Sequence, residues 1–410
     1  MDHREELKEN SDQLDYLAVP FQKPDLGDEE IAEVVACLKS GWLTTGPRTA
    51  EFEESFAGYI GVKHAVAMNS CTAALHLGLK ALGVSAGDAV VVPTMTFAAT
   101  AEVVIHCGAK PLFVDCRESD LNMDMDHARK VTTAAREAGT KVKTIIPMHY
   151  GGQIGDVEAT RALAREHGLT MLGDAAHCCP AYYRKEADAP WQSVSSDADI
   201  SCFSFYANKS ITTGEGGMLV TNNAEWAEDA RVRRLHGIDM DAWDRFSGNR
   251  TGYSVMKLGY KYNLTDIASA IGIHQLRKAD AFLQGRRRVA ESYAELLGDV
   301  EDVILPRENP NRIHSWHVYP IRVRPGKGHR SRGEIQEKMR ERGIFTSVHW
   351  KPLHLHRYYA EEFGLKSSSF PEATRLFDDL ISLPIYHLLT DAQIEHVCSV
   401  LKHTIGVSAK

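Results

Sequence analysis

Between Thr72 and Leu172 the chain alternates between two textures. Segments such as "TAALHLGLKAL", "FAATAEVVIH", "DHARKVTTAAREAG" and "DVEATRALAREHG" carry apolar residues at helical spacing, which predicts helices with one buried face. Between them lie "AVVV", "PLFV", "TIIPM" and "LTML", short runs that are apolar almost throughout. They are too short for helices and have no polar face, so they predict strands covered on both sides. After a long polar loop, "DISCFSF" and "GMLVT" predict two more strands. Short strands separated by helices make a mostly parallel sheet in an α/β fold.

Upstream, Ile31, Val34, Val35 and Leu38 predict a helix over Asp28–Ser40 that Gly41 stops, and Phe52, Phe56 and Ile60 mark a second. Residues 1–20 lack any such pattern and read as a frayed arm. Thr265 to Leu297 reads as one long helix containing Arg286, Arg287 and Arg288. Past about residue 300 the texture changes: "WHVYPIRV" alternates like a strand, while "RGEIQEKMRERG" and "DAQIEHVCSVLKH" are helical. The predicted organisation is an arm (1–23), a large domain (24–275) and a small C-terminal α/β domain (276–410).

Composition narrows the class. The 410 residues hold 47 Lys and Arg against 55 Asp and Glu, a net charge of −8, with 43% apolar residues. A chain of this make-up is a globular protein with no basic excess for nucleic acid. The most apolar stretch, Ala89 to Leu112, is broken by Pro93, Glu102, His106 and Lys110, so no membrane span is expected. The N-terminus is polar and unlike a signal peptide. The eight cysteines show no CxxC spacing and read as reduced thiols, so a cytoplasmic location is expected.

Candidate chemistry sits at the ends of the predicted strands, where open α/β sheets bind ligands. In "SFYANKSITTGEGG", Lys209 follows a strand and precedes a Gly-rich turn. Partial burial there lowers an amine's pKa and makes it nucleophilic. In "GDAAH", Asp174 stands at the end of another strand, followed by His177, Cys178 and Cys179. Adjacent cysteines without further partners make a poor metal site, and no metal is expected. In "AMNSCTAALHL" a strand ends at Met68, and Ser70 or Thr72 caps a helix whose free N–H groups suit a phosphate. In "VPTMTFAAT", Phe97 is either core or a stacking platform.

A phosphate-binding helix start, an aromatic, an aspartate, a serine and a lysine, in this order, are the parts of a pyridoxal phosphate site. The whole chain from about Pro20 resembles the DegT-type sugar aminotransferases. The resemblance rests on "SGWLTTGPRTAEFEESFAGYIG", "VPTMTFAAT", "GDAAH", "SFYANKSITTGEGGML", "HGIDMDAWDRFSG", "GYKYNLTDIASAIGIHQL" and "HWKPLH". "GWLTTGP" and "DAWDR" look most like the branch that makes 4-amino sugars on UDP carriers. It implies the type I aminotransferase fold: a large domain with a mixed, mainly parallel seven-stranded sheet, and a small C-terminal domain. It also implies pyridoxal 5′-phosphate as cofactor, an amino-acid donor (glutamate or glutamine), a nucleotide-linked keto sugar as acceptor, and ping-pong kinetics. Lys209 would bond the cofactor and shuttle the proton. Asp174 would keep the pyridine nitrogen protonated, and His177 would contact the ring's 3-hydroxyl side. Phe97 would stack on the ring, and Thr72, Ala73 and Ser204 would bind the phosphate. Asn263 would reach the phosphate of a second subunit, making a homodimer with shared sites. Relatives with His at the Lys209 position are dehydratases, so lysine favours amino transfer.

Thr45, His149, Lys261, Tyr262 and His349 lie in matching segments near the expected sugar opening, and Lys261 would offset diphosphate charge. Two departures stand out. Cys71 replaces a small residue in the phosphate loop, and "YRKEADAPWQSVSSDAD" is longer than the family's usual link, read as a surface loop. The alternatives are a keto-cyclitol acceptor, or a regulatory protein that binds cofactor without turnover.

Overall fold

The computed structural model describes residues 18–239, 252–324 and 331–406. The "DAWDR" motif and residues 1–17 lie outside the described residues. Two helices open the described chain, α1 (Asp28–Ser40) and α2 (Pro47–Ile60). The alternation then runs β1 (His64–Met68), α3 (Cys71–Ala81), β2 (Asp88–Pro93), α4 (Ala98–His106), β3 (Lys110–Val114), α5 (Met125–Glu137), β4 (Lys141–Ile145), α6 (Val157–His167) and β5 (Thr170–Asp174). The two-residue strands β6 (Tyr182–Tyr183) and β7 (Gln192–Ser193) follow, then β8 (Ile200–Ser204), β9 (Gly217–Thr221) and α7 (Ala224–Arg233).

Strand order in the main sheet is β1-β9-β8-β5-β4-β2-β3, seven strands. β9 runs antiparallel to both neighbours, and the other contacts are parallel. The sheet is therefore mixed and mainly parallel, as in the type I aminotransferase fold. Every residue of β2, β8 and β9 is buried, the expected outcome for apolar runs with helices on both faces. "TIIPM" is displaced: β4 ends at Ile145, and Met148 then bridges Asp174 at the end of β5.

The predicted long helix is two: α8 (Asp266–Arg277) and α9 (Ala279–Leu297), separated at Lys278. The Lys278 ammonium holds the buried Glu30 carboxylate of α1 at 2.8 Å. Thr265 caps α8 through the Ala268 N–H. The change of core falls within α9 rather than at 275. Ala279 and Phe282 pack with the main-sheet residues, whereas Val289, Ala290, Tyr293 and Leu297 join a second core. That core is covered by β10 (Val303–Ile304), β12 (Tyr319–Val323), β13 (Leu380–Leu383), α10 (Arg332–Glu341) and α11 (Asp391–Thr404). "WHVYPIRV" is strand only from Tyr319, and Trp316 has a φ of 50°.

The last part of the N-terminal segment is not frayed. Val19 is fully buried in the second core and bonds Gly343 and Phe345 through its backbone. The long "YRKEADAPWQSVSSDAD" link lies largely at the surface, with Lys185, Glu186, Ala187 and Asp188 exposed, but it is tied down. β6 pairs with β7 and with β11 (Arg312–Ile313), and Arg184 lies over the Trp191 ring at 4.6 Å. The Arg312 guanidinium donates to the Ile154 and Gly155 carbonyls, fastening β11 to the loop after β4. Among the described residues, no helix is long and apolar enough to cross a membrane.

Candidate active site

Six strands of the main sheet run in one direction, so their C-terminal ends gather at one edge. The segments after β1, β2, β5 and β8 carry Ser70–Ala73, Thr96–Thr100, Asp174–His177 and Ser204–Lys209. β9 runs the other way, so its first residue, Gly217, pairs with Ser204 at that same edge. Topology alone thus brings together residues distant in sequence.

The start of α3 is built for an anion. Ser70, not Thr72, is the cap: its hydroxyl accepts from the Ala73 N–H at 3.1 Å. The positive end of the helix sits beside Gly217, where a Cβ would lie 2.4 Å from the Cys71 nitrogen. Only glycine permits that approach. Gly217→Ala is expected to cost about 1–3 kcal/mol of stability by overpacking and to weaken phosphate-dependent cofactor binding, measured by melting and by absorbance titration. Cys71 is buried in the core beneath the helix start, so this departure leaves the cap intact.

Asp174 ends β5 and is 4% exposed. Its Oδ2 accepts from the Thr100 hydroxyl at 2.7 Å and its Oδ1 from the Ala176 N–H at 3.2 Å. Burial raises its carboxyl pKa, opposed by those two hydrogen bonds and by Lys209. Lys209 is half-buried, and its Nζ lies 3.4 Å from His317 Nε2. Burial lowers the amine to about 8, against smaller raising effects of Cys71, Asp174 and Cys178. A lysine in this range has a far larger neutral fraction near physiological pH than an ordinary lysine, and the neutral amine can attack a carbonyl.

Aromatic rings surround this pair. His177 is buried, 4.2 Å from His317 and stacked at 4.9 Å on Trp350. Desolvation, then the Lys209 charge, holds the His177 ring well below the usual histidine pKa, so it is neutral. Its Nδ1 is buried without a partner among the described residues. Phe97, by contrast, is 59% exposed: it is not core but a free aromatic face at the N-terminus of α4. Ser204 is buried at the end of β8.

His349 lies beside this group. Its ring stacks on Phe21 at 5.3 Å, its Nδ1 is 2.9 Å from Ser382 Oγ, and burial followed by the Lys209 charge lowers it to about 4. Asn263 runs alongside Met68; its amide donates to Thr45 and its oxygen accepts from Lys261 at 2.7 Å. Tyr262 stacks on Tyr260 at 5.0 Å, with its hydroxyl 3.2 Å from His76 Nδ1.

Two sugar-site expectations differ from the structure. Thr45 is 4% exposed, and its hydroxyl is used within the chain by Leu264 and Asn263. His149 is 1% exposed, with Nε2 2.8 Å from Asp197 Oδ2 and Nδ1 accepting from Gly155. It is a packing residue under the loop after β4, not part of an opening.

Sequence reading missed Thr96, Thr100, His317 and Trp350. His317 and His314 were hidden in "HSWHVYP", where alternation suggested only a strand; two histidines three apart were the available signal. Gly152 (φ 104°) lets this segment approach, since a Cβ there would meet Ser315 at 2.7 Å. Gln22 and Arg286 then fix it by donating to the His317 and Trp316 carbonyls.

The donor set fits pyridoxal phosphate on observations of this chain: a glycine-lined helix start, an open aromatic face, a buried carboxylate, an unpartnered His177 Nδ1 and a depressed lysine. Among the described residues no group of three or more His, Cys, Asp or Glu side chains is placed to hold a metal ion. Fold and site together fit an α/β enzyme of the pyridoxal-phosphate type. The DegT/DnrJ/EryC1/StrS aminotransferase family matches residues 24–402, and the chain belongs to that family. It is 39% identical to the spore coat polysaccharide biosynthesis protein SpsC of Bacillus subtilis, over 94% of this chain and 97% of that one. The fold is similar to the putative sugar aminotransferase Spr1654 from Streptococcus pneumoniae in its PLP form (TM-score 0.85, 29% identity, 94% and 98% coverage). It is equally similar to Helicobacter pylori PseC, an aminotransferase involved in the biosynthesis of pseudoaminic acid (TM-score 0.85, 28% identity, 95% and 99% coverage).

Proposed function

We propose that the protein is a pyridoxal-phosphate-dependent sugar aminotransferase that moves an amino group from glutamate or glutamine to a UDP-linked 4-keto sugar. The observation that carries the reading is the Lys209 amine, lowered to about 8, at the sheet edge that also holds Asp174. When bound, the cofactor supplies the carbonyl that takes up the amino group and the ring that accepts an electron pair. Lys209 Nζ would hold the cofactor and would serve as the base for the proton on the donor's α-carbon. Asp174 holds the proton on the pyridine nitrogen. The Phe97 face would hold the ring, His177 would contact its 3-hydroxyl side, and the α3 start with Thr72, Ala73 and Ser204 would bind the phosphate.

The UDP and 4-keto assignments are supported by "GWLTTGP", which forms the turn into α2. The Asp266 carboxylate caps that turn through the Gly46 and Thr49 N–H groups at 2.8 and 3.0 Å. Lys261, Tyr262 and His349 are the proposed contacts to the sugar nucleotide. Asn263 is proposed to serve the phosphate of a second subunit in a homodimer, which would require its present bonds to Thr45 and Lys261 to be exchanged.

The test is to incubate holoprotein with glutamate and a panel of acceptors and to detect the amino product by mass. UDP-4-keto sugars are expected to be converted and free keto-inositols not. Conversion of the inositols alone would move the acceptor to the cyclitol class. A colourless protein unaffected by added pyridoxal phosphate would overturn the reading as a whole.

A further inference from the structure

A threonine inside a helix ordinarily returns its hydroxyl to a carbonyl three or four residues back. Thr100, in the first turn of α4, does not. It is fully buried, and its hydroxyl reaches Asp174 Oδ2 at 2.7 Å, 74 residues along the chain. Behind it, Thr96 Oγ1 lies 2.7 Å from Thr100 Oγ1 and is 1% exposed.

The proton count in this chain has one solution. An ionised carboxylate only accepts, so Thr100 donates to Asp174. A hydroxyl has one proton, so the Thr100 oxygen accepts from Thr96. The two hydroxyls thus form a directed chain ending on Oδ2, while Oδ1 takes the longer Ala176 N–H bond at 3.2 Å. The backbone of Asp174 is pinned as well: its N–H donates to Pro147 and its carbonyl accepts from His149. The carboxylate can neither shift nor rotate without losing bonds.

We propose that Thr100, backed by Thr96, is a positioning residue that keeps Asp174 ionised and aimed, so that the carboxylate holds a proton on the ring nitrogen rather than taking it. The inference rests on the cofactor assignment proposed above. Its physical basis is a balance. Burial makes the carboxylate a stronger base, and the Thr100 bond is the largest effect opposing this. Without that bond the carboxylate's proton affinity rises, the shared proton moves towards it, and the ring becomes a poorer electron acceptor. Thr100 also stands three residues after Phe97, and its N–H donates to the Phe97 carbonyl. One helix start therefore sets both the aromatic face and the carboxylate that serve the same ring.

The test compares wild type, Thr100→Val and Thr100→Ser, each reconstituted with pyridoxal phosphate or with the analogue carrying carbon in place of the ring nitrogen. Cofactor affinity is read by absorbance titration, and the glutamate half-reaction by stopped flow. With pyridoxal phosphate, Thr100→Val is expected to bind more weakly and react about tenfold to a hundredfold more slowly, the range for removing the partner that orients a site group. Thr100→Ser recovers most of both. With the nitrogen-free analogue, wild type and Thr100→Val are equally slow, because no ring proton is left to hold. Thr96→Val, one hydroxyl further away, gives the same pattern at smaller size and serves if Thr100→Val folds poorly. The proposal is overturned if the valine variants react like wild type with pyridoxal phosphate. It is equally overturned if they lose the same factor with the analogue, which would make Thr100 a packing residue. Failure of wild type to bind either cofactor would instead refute the cofactor assignment, so the two failures are distinct.

Discussion

Lys209→Ala is expected to give a folded protein that has lost the visible band of lysine-bound pyridoxal phosphate and whose turnover has fallen by at least about 10⁴-fold. The fold should survive because, among the described residues, the side chain's polar contact is the one at 3.4 Å to His317, and removing a desolvated amine relieves a cost. The loss of function follows from the pKa. An amine lowered to about 8 is neutral in about one molecule in ten at pH 7. An ordinary lysine at 10.5 is neutral in about one in three thousand. The neutral form is the nucleophile, so the rate at which apoprotein captures pyridoxal phosphate should rise with pH, with a midpoint near 8, and level off above it. Stopped-flow absorbance across that midpoint checks the profile. A capture rate still climbing steeply through pH 10, or a visible band retained by Lys209→Ala, would remove Lys209 from the role.

Why the lysine and aspartate were legible, and other parts were not, has a physical reason. Periodicity reports burial, and the sheet is nearly all buried. "GMLVT" matches β9 to the residue, and "DISCFSF" brackets β8. Lys209 and Asp174 were found because they follow strands, where an α/β sheet binds ligands. Helix ends are set by single residues, and so they were partly missed. At the break, Lys278 bonds Glu30, 248 residues away, a contact that no local pattern carries. The same holds for the residues around the site. Thr100 looks like any small residue in "FAATAEVVIH", and the role proposed for it lies in a bond from helix α4 to Asp174 at the end of β5. His149 shows the converse: a histidine in a matching segment looked available, but Asp197, brought in just before β8, buries it. The arm at Val19–Gln22 carries too few apolar residues to show a period, yet it packs on the second core and reaches His317.

Asp174→Asn is expected to separate binding from chemistry. The amide has the shape of the carboxylate and keeps an oxygen for the Ala176 N–H. Its NH₂ group can face Thr100 if the hydroxyl chain reverses, with Thr96 accepting in place of donating. The fold should therefore hold, and the visible band should remain because Lys209 still bonds the cofactor. What is lost is a buried negative charge opposite the ring nitrogen. Breaking a buried charge pair by removing one partner costs about 3–5 kcal/mol, or about two to three and a half orders of magnitude in rate if the pair is made in the transition state. The loss should fall on the step that removes the donor's α-proton, so exchange of the glutamate α-hydrogen with deuterated solvent should slow by the same factor as the half-reaction. Lys209→Ala loses the band and the chemistry together, whereas Asp174→Asn keeps the band and loses the chemistry. A variant that kept near-normal exchange would mean that the ring nitrogen needs no carboxylate here, and the placement of Asp174 by Thr100 would then have no catalytic consequence.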